Sequence, residues 1–248
     1  MITKASIKAR LESFPRVYLA LLKFKRIGHW SQEWIVSSGS DVTIEGFPRS
    51  ANSFALSAFR LAQSKPCRIA THVHSHAQIV RSVQLGVPTM VLFRPPKDAC
   101  LSLAALTCQI GDMDVTDETV GQAMPVLAGH LIQYCRFYRE VLSRIDQLVL
   151  AEFGLVTRDY GRLIQRLNRR FDTDFDLYAN TEENRERIFQ ESGFHLSPDP
   201  KRDIIKEVLR RAYALDELRP GISAAEALYN ELLAMESRQA RQLDPKQA

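Results

Sequence analysis

The stretch Ile44-Glu45-Gly46-Phe47-Pro48-Arg49-Ser50-Ala51-Asn52-Ser53-Phe54 decides how this chain folds. An apolar strand runs into a tight turn of small residues that carries one arginine and several hydroxyl or amide side chains. Phe54, Ala55, Ala58, Phe59 and Leu61 then follow as apolar residues at helical spacing. A strand, a tight loop and a helix N-terminus together make an anion seat. The first N–H groups of a helix have no partner within it, and its dipole favours negative charge there. Arg49 adds a cation that can fork onto phosphate or sulfate oxygens. The motif G-x-x-x-x-G-K-[ST] occurs nowhere in the chain, which argues against an ordinary Mg-ATP or GTP enzyme.

Around this stretch the pattern alternates between strand and helix. Strands are expected over 41–47, 67–72, 89–93 and 147–152, and helices over 53–63, 76–84, 97–109, 116–143 (with a break at Pro125) and 157–171, the last capped by Thr157. Beyond residue 180 the sequence turns helical and highly charged, with helices expected over 182–191, 200–214 and 223–239 and joints at Pro198, Pro200, Pro220 and Gly221. Strands separated by helices imply parallel pairing with right-handed crossovers, hence an α/β, doubly wound, mainly parallel sheet. The expected organisation is one domain over 1–248: an N-terminal helical extension (1–40), an α/β core (41–178) and a helical C-terminal cap (179–248). In such sheets ligands sit beyond the C-terminal strand ends, which is where Arg49, His72 and Arg94 fall.

Composition is that of a globular protein able to bury a large core: 45% of the 248 residues are apolar and 25% charged. A net charge of only +4 argues against a polycation seeking nucleic acid. Cys67, Cys100, Cys108 and Cys135 form no C-x-x-C pair. Cys67, Cys100 and Cys108 fall in elements expected to be buried, so a reduced, cytoplasmic compartment is expected. The longest N-terminal apolar run, 17–22, is far short of the roughly 20 residues that span a bilayer. Residues 1–26 nevertheless hold seven Lys or Arg against one acid, Glu12. Ile7, Leu11, Phe14, Tyr18, Leu21 and Leu22 could form an apolar face, either packed on the body or seeking anionic lipid as a peripheral membrane contact.

A second stretch sharpens the functional reading. Val87-Pro88-Thr89-Met90-Val91-Leu92-Phe93 reads as a buried strand that runs into Arg94-Pro95-Pro96-Lys97-Asp98-Ala99-Cys100-Leu101-Ser102. Here the chain resembles the sulfotransferases that use 3′-phosphoadenosine 5′-phosphosulfate (PAPS). Their first signature, a strand followed by Pro-Lys/Arg-Ser-Gly-Thr/Asn-Thr, is matched by Pro48-Arg49-Ser50-Ala51-Asn52-Ser53. Their second, a strand ending in Arg, a Pro-Lys-Asp-like turn and a Ser eight positions after that Arg, is matched by Arg94, Lys97, Asp98 and Ser102. Ile69-Ala70-Thr71-His72 supplies the Thr-His pair of many members, 22 residues before Arg94. The resemblance covers about residues 42–105.

The resemblance implies a P-loop-like fold and a metal-free transfer of a sulfuryl group from PAPS to a hydroxyl or amine. Arg49 would face the 5′-phosphate and the bridging oxygen. The N–H groups of Ala51 to Phe54, with Ser50, the Asn52 amide and the Ser53 hydroxyl, would hold the same phosphate. Arg94 and Ser102 would hold the 3′-phosphate, and His72 would be the general base, an imidazole with a pKa of about 6.5 being suited to that work. His74 is the next candidate base. His72, His74 and His76 alternate as zinc ligands on a strand can, yet no acid or cysteine completes a set, so no metal is expected. Ala51 stands where the family places a glycine, which would strain a position of positive φ. Ala70 stands where many members place a lysine. Lys201-Arg202 or Arg169-Arg170 could close over the 3′-phosphate. The acceptor, a small molecule, lipid, glycan or peptide, is open, with 111–146 and 172–222 as candidate walls. The alternative is a nucleotide-binding protein of the same fold with little or no transfer.

Overall fold

A computed structural model describes residues 4–192 and 199–244. The protein is α/β and mostly helical, with four strands in one all-parallel sheet and eleven α-helices among the described residues. The strands are β1 (Val42–Gly46), β2 (Ile69–Ala70), β3 (Thr89–Phe93) and β4 (Val149–Glu152), in the spatial order β2-β1-β3-β4. The helices are α1 (Lys4–Glu12), α2 (Pro15–Lys25), α3 (Asn52–Ala62), α4 (His76–Gln84), α5 (Pro96–Ile110), α6 (Val120–Leu142), α7 (Phe153–Arg158), α8 (Tyr160–Phe171), α9 (Glu182–Ser192), α10 (Pro200–Tyr213) and α11 (Arg219–Leu243). No helix among the described residues is long and apolar enough to cross a membrane.

Side chains alternate across each strand, and both faces of the sheet are covered. Val42, Ile44, Met90, Leu92, Val149 and Ala151 pack on one side with α3, α7 and α8. Val91, Phe93, Leu148 and Leu150 pack on the other with α5, α6, α10 and α11. On β1, the positions facing this second side are polar. Thr43 and Glu45, two apart on a strand, meet Ser82 and Gln78, four apart on α4: Ser82 Oγ donates to Thr43 Oγ1 at 2.7 Å and Gln78 Nε2 to Glu45 Oε2 at 3.1 Å. The strand and helix periods thus bring two polar pairs into register across a buried contact.

The outer edge of β4 is closed by a side chain. Gln239 of α11 accepts the Leu150 N–H at 2.9 Å and donates to the carbonyls of Leu148 and Ile145, both at 3.0 Å, occupying backbone groups that an edge strand otherwise offers to another chain. The end of α11 is held by ions: Asp244 lies 2.7 Å from buried Arg166 and 2.8 Å from Arg162.

Several elements differ from the sequence expectation for identifiable reasons. The strand expected over 67–72 is only Ile69–Ala70. Arg68 turns both backbone groups to Asp41, and the Thr71 N–H is taken by the Trp34 carbonyl at 2.9 Å. The helix expected over 157–171 is two helices, with Asp159 capping α8 through the Arg162 N–H, while Thr157 bonds back to the Phe153 carbonyl within α7. Pro125 does not break α6; it lies near the helix start and removes only the bond its own N–H would make. Pro220 sits in the first turn of α11, where no N–H is needed, so that helix begins before the joint expected at 220–221. Pro198 lies outside the described residues. Cys67 is half-buried outside the sheet, whereas Cys100, Cys108 and Cys135 are buried.

Candidate functional site

Because all four strands run the same way, their C-terminal ends share one edge of the sheet, and the loops carrying Arg49, His72 and Arg94 leave from it. The β1–α3 turn starts at Gly46, where a Cβ would stand 2.7 Å from the Leu92 carbonyl oxygen, so only glycine allows β1 to lie this close to β3 there. Phe47, Tyr134 and Tyr138 pack ring against ring behind the turn. Arg49 and Ala51 both adopt left-handed backbone, at φ 69° and 68°. The strain expected from an alanine at position 51 is therefore present, and Arg49 adds a second instance, each of about 1–2 kcal/mol.

The turn delivers the chain into α3 with its first donors free of the helical ladder. That ladder opens with the Ala55 N–H on the Ala51 carbonyl, at 2.9 Å, and no side chain caps the helix. The amides of Asn52, Ser53 and Phe54 therefore form the first turn of an uncapped helix N-terminus. Side chains in this segment face two ways. Phe54 is core, Ser50 is fully buried 3.5 Å from the Tyr138 hydroxyl, and Asn52 Nδ2 donates to the Phe47 carbonyl at 3.0 Å, bracing the turn. Ser53 faces the loop after β2, where its hydroxyl lies 3.3 Å from His72 Nε2.

Three guanidiniums gather beside the turn. Arg49 Nε donates to Ser102 Oγ on α5 at 2.9 Å, and Arg94 Nη1 donates to the Arg49 carbonyl at 3.2 Å. Arg94 also lies over the Phe153 ring, 4.1 Å from its centroid, and its Nε is buried without a hydrogen-bond partner. The carboxylate of Asp98 stands 4.0 Å from that nitrogen. Burial, then the charges of Arg202 and Arg94, push the Arg49 pKa below its ordinary value. No carboxylate forms an ion pair with Arg49 among the described residues. Of the two basic pairs left open by the sequence, the geometry brings Arg202 to this cluster, whereas Arg169 lies against Asp244. Arg202 itself is buried on α10, with Nε donating to Gln109 and Nη2 3.6 Å from Asp199.

The loop after β2 is built on a carboxylate that the motif reading passed over. Glu45 is fully buried at the end of β1. It accepts from the Gly46 N–H at 3.1 Å, the Val73 N–H at 2.9 Å and Gln78 Nε2 at 3.1 Å, and His74 Nδ1 stands 3.4 Å from it. Burial opposes its charge, but the hydrogen bond and charge of His74 hold the carboxyl below its ordinary range. Burial likewise opposes a charged His74, and the bond and charge of Glu45 outweigh it, so its pKa is raised. This network holds a loop in which His72 and His74 take left-handed backbone, φ 51° and 54°. His72 thereby sits against the Trp34 ring at 4.9 Å, with Nδ1 2.9 Å from Thr71 Oγ1. The three histidines do not alternate on a strand, since β2 ends at Ala70. His74 faces Glu45, and His76 opens α4. Among the described residues no group of three or more His, Cys, Asp or Glu is arranged to hold a metal ion.

Next to the turn a cavity of about 370 Å³ opens between α1 and α6, lined by Phe47, Pro48, His74, Ile132 and Phe137 with the Glu12–Arg136 ion pair in its wall. It adjoins the turn through Pro48 and the histidine loop through His74. Its walls are formed in part by α6 and in part by α1. Glu45 had a legible signal, a lone carboxylate within an apolar strand one residue before a glycine. Arg202 had none beyond its charge. No protein-family model, curated protein or solved structure matches the chain.

The Glu45–His74 pair gives a pH signature. Glu45 titrates below its ordinary 4.5, so its contribution is complete above that pH and is lost as pH falls through the folded pKa. His74 titrates above its ordinary 6.5, so its contribution is complete below that pH and is lost as pH rises through the folded pKa. Thermal unfolding of Glu45→Gln against wild type should show its largest deficit, about 3–5 kcal/mol, between these two values and a smaller one on either side. A deficit independent of pH would mean that the pair is not ionised in the folded protein.

Proposed function

We propose that the chain is a PAPS-dependent sulfotransferase with a doubly wound, P-loop-like core. The observation that carries this reading is the meeting of Arg49 and Arg94 at the uncapped first turn of α3, with no carboxylate paired to Arg49 among the described residues. A ligand with two separated anionic groups suits such a seat. One group would meet the α3 amides and Arg49, and the other Arg94 and Ser102. The buried, unbonded Nε of Arg94 and the mutual repulsion within the arginine cluster are both relieved by an anion. Arg202, paired with Asp199, would add to the positive field around Arg49.

His72 is the base in this reading. With the proton of its neutral ring on Nδ1, donating to Thr71 Oγ1, the lone pair on Nε2 faces the Ser53 hydroxyl at 3.3 Å, which an acceptor hydroxyl would displace. Nε2 takes the proton from an acceptor hydroxyl as the acceptor oxygen bonds to sulfur. The bond between sulfur and the bridging oxygen breaks, and its electron pair leaves with the 5′-phosphate of adenosine 3′,5′-bisphosphate. Arg49 stabilises the negative charge that grows on that oxygen. The cavity beside Pro48 and His74 supplies an apolar berth for an acceptor within reach of this edge of the sheet. The alternative, a nucleotide-binding protein without efficient transfer, draws on the strained Ala51 and on Ala70, whose methyl group is packed in the core.

Two variants test these roles. Arg94→Ala should weaken adenosine 3′,5′-bisphosphate about ten- to a hundredfold while changing adenosine 5′-phosphate little, measured by calorimetry. Equal losses for both nucleotides would remove Arg94 from the 3′-phosphate. His72→Ala should lower sulfuryl transfer from labelled PAPS about a hundredfold or more at nearly unchanged nucleotide affinity. A fully active variant would exclude His72 as the base, and a wild type that binds the nucleotide without transfer would favour the binding-protein reading.

A further inference from the structure

The N-terminal region forms two helices rather than the single apolar face expected from Ile7 to Leu22. The chain turns at Ser13 and Phe14, and in α2 the inward face is Tyr18, Leu19 and Leu22, packed with Ile35, Val36 and Ala70. The outward face is apolar as well. Phe14 is 61% exposed, Val17 and Leu21 are each 52%, and Phe24 is 75%. Their spacing of three and four residues makes one stripe along the helix. Ile27 and Trp30, each 65% exposed, extend it past the helix end.

At 100° per residue Lys25 lies directly beside this stripe on one side, while on the other Ala20 comes first and Arg16 and Lys23 lie beyond it, toward the packed face. No acid lies on α2. Glu12, the one acid among residues 1–26, is buried between Lys8 at 3.7 Å and Arg136 at 3.5 Å. The exposed surface of α2 is therefore an apolar stripe on a helix whose charged residues are all basic. A second copy of the chain is a poor occupant. In a two-fold pairing the patch meets itself, and the basic residues of the two helices would approach each other without acids to offset them. An anionic bilayer supplies both complements at once: acyl chains for the stripe and headgroup charge for the lysines and arginines.

We infer that the outer face of α2, with Ile27 and Trp30, docks in the interface of a membrane rich in anionic lipid. Large aromatic and aliphatic side chains on one face and Lys/Arg beside them are what such a helix requires. The face is joined to the candidate site by ring contacts, Trp30 on Trp34 at 4.3 Å and Trp34 on His72 at 4.9 Å. This inference stands independently of the nucleotide reading, since it needs neither donor nor turnover.

The test is co-sedimentation of the full chain with vesicles of phosphatidylcholine alone and of phosphatidylcholine with phosphatidylserine, at low and high salt. Binding should require phosphatidylserine and weaken with salt. The triple variant Phe14→Ser, Leu21→Ser and Phe24→Ser should lose about tenfold or more in vesicle affinity. Its melting temperature should match wild type, because these side chains contact solvent. Absence of binding, or binding unaffected by the triple variant, would overturn the inference. So would lipid-free self-association of the wild type, seen by light scattering and abolished in the triple variant, because the face would then join two copies.

Discussion

The Glu45 carboxylate, fully buried near the C-terminal end of β1, is the constraint from which the site follows. A charge in that position is tolerated only if its lone pairs are occupied and a cation stands near. Two backbone N–H groups, one glutamine and one histidine meet that demand, and each of them fixes a different part of the molecule. Val73 and His74 fix the loop after β2, Gln78 fixes α4, and Gly46 fixes the start of the β1–α3 turn. Gln78 also accepts the Val36 N–H at 3.1 Å and donates to the Trp34 carbonyl at 3.1 Å, so the segment that carries Trp34 against His72 belongs to the same network.

This arrangement explains why strained backbone persists where it does. Arg49, Ala51, His72 and His74 all hold positive φ without being glycine, and all lie on the two loops that leave the same sheet edge. Glu45 lies at the root of both loops. The outcome is a set of directed donors: the first turn of α3 stays uncapped, Arg49 reaches Ser102, Arg94 spans back to the Arg49 carbonyl, and His72 is turned toward Ser53. Strain concentrated in this way is common where a protein must present groups to a ligand.

Much of this was legible in the sequence because local signals agreed with the global fold. The apolar strands at 42–46 and 89–93, the small-residue turn between Phe47 and Asn52, and Arg94 at a strand end all have strong short-range signatures. The positive φ at Ala51 was expected only from the resemblance, which places a glycine at that position. What was not legible depends on long-range pairing. Periodicity cannot show that Arg68 turns away to Asp41, which shortens β2, or that Asp159 outcompetes Thr157 as a cap. Nor can it show that Gln239, nearly ninety residues from β4, closes that strand's edge. Arg202 comes within electrostatic reach of Arg49 only because α10 lies on α5. Glu45 read as one polar residue among apolar neighbours, and only the folded chain shows the groups that surround it.

The proposed function requires that the seat at Arg49, Arg94 and the first turn of α3 suit a nucleotide with two separated phosphates. Calorimetric titration of the wild-type protein with adenosine 3′,5′-bisphosphate, beside ADP and ATP and without added metal, tests this directly. Selective binding of the bisphosphate is the predicted result. Preference for ATP, or no binding by any of the three, would contradict it and leave the arginine cluster as a feature of the fold alone.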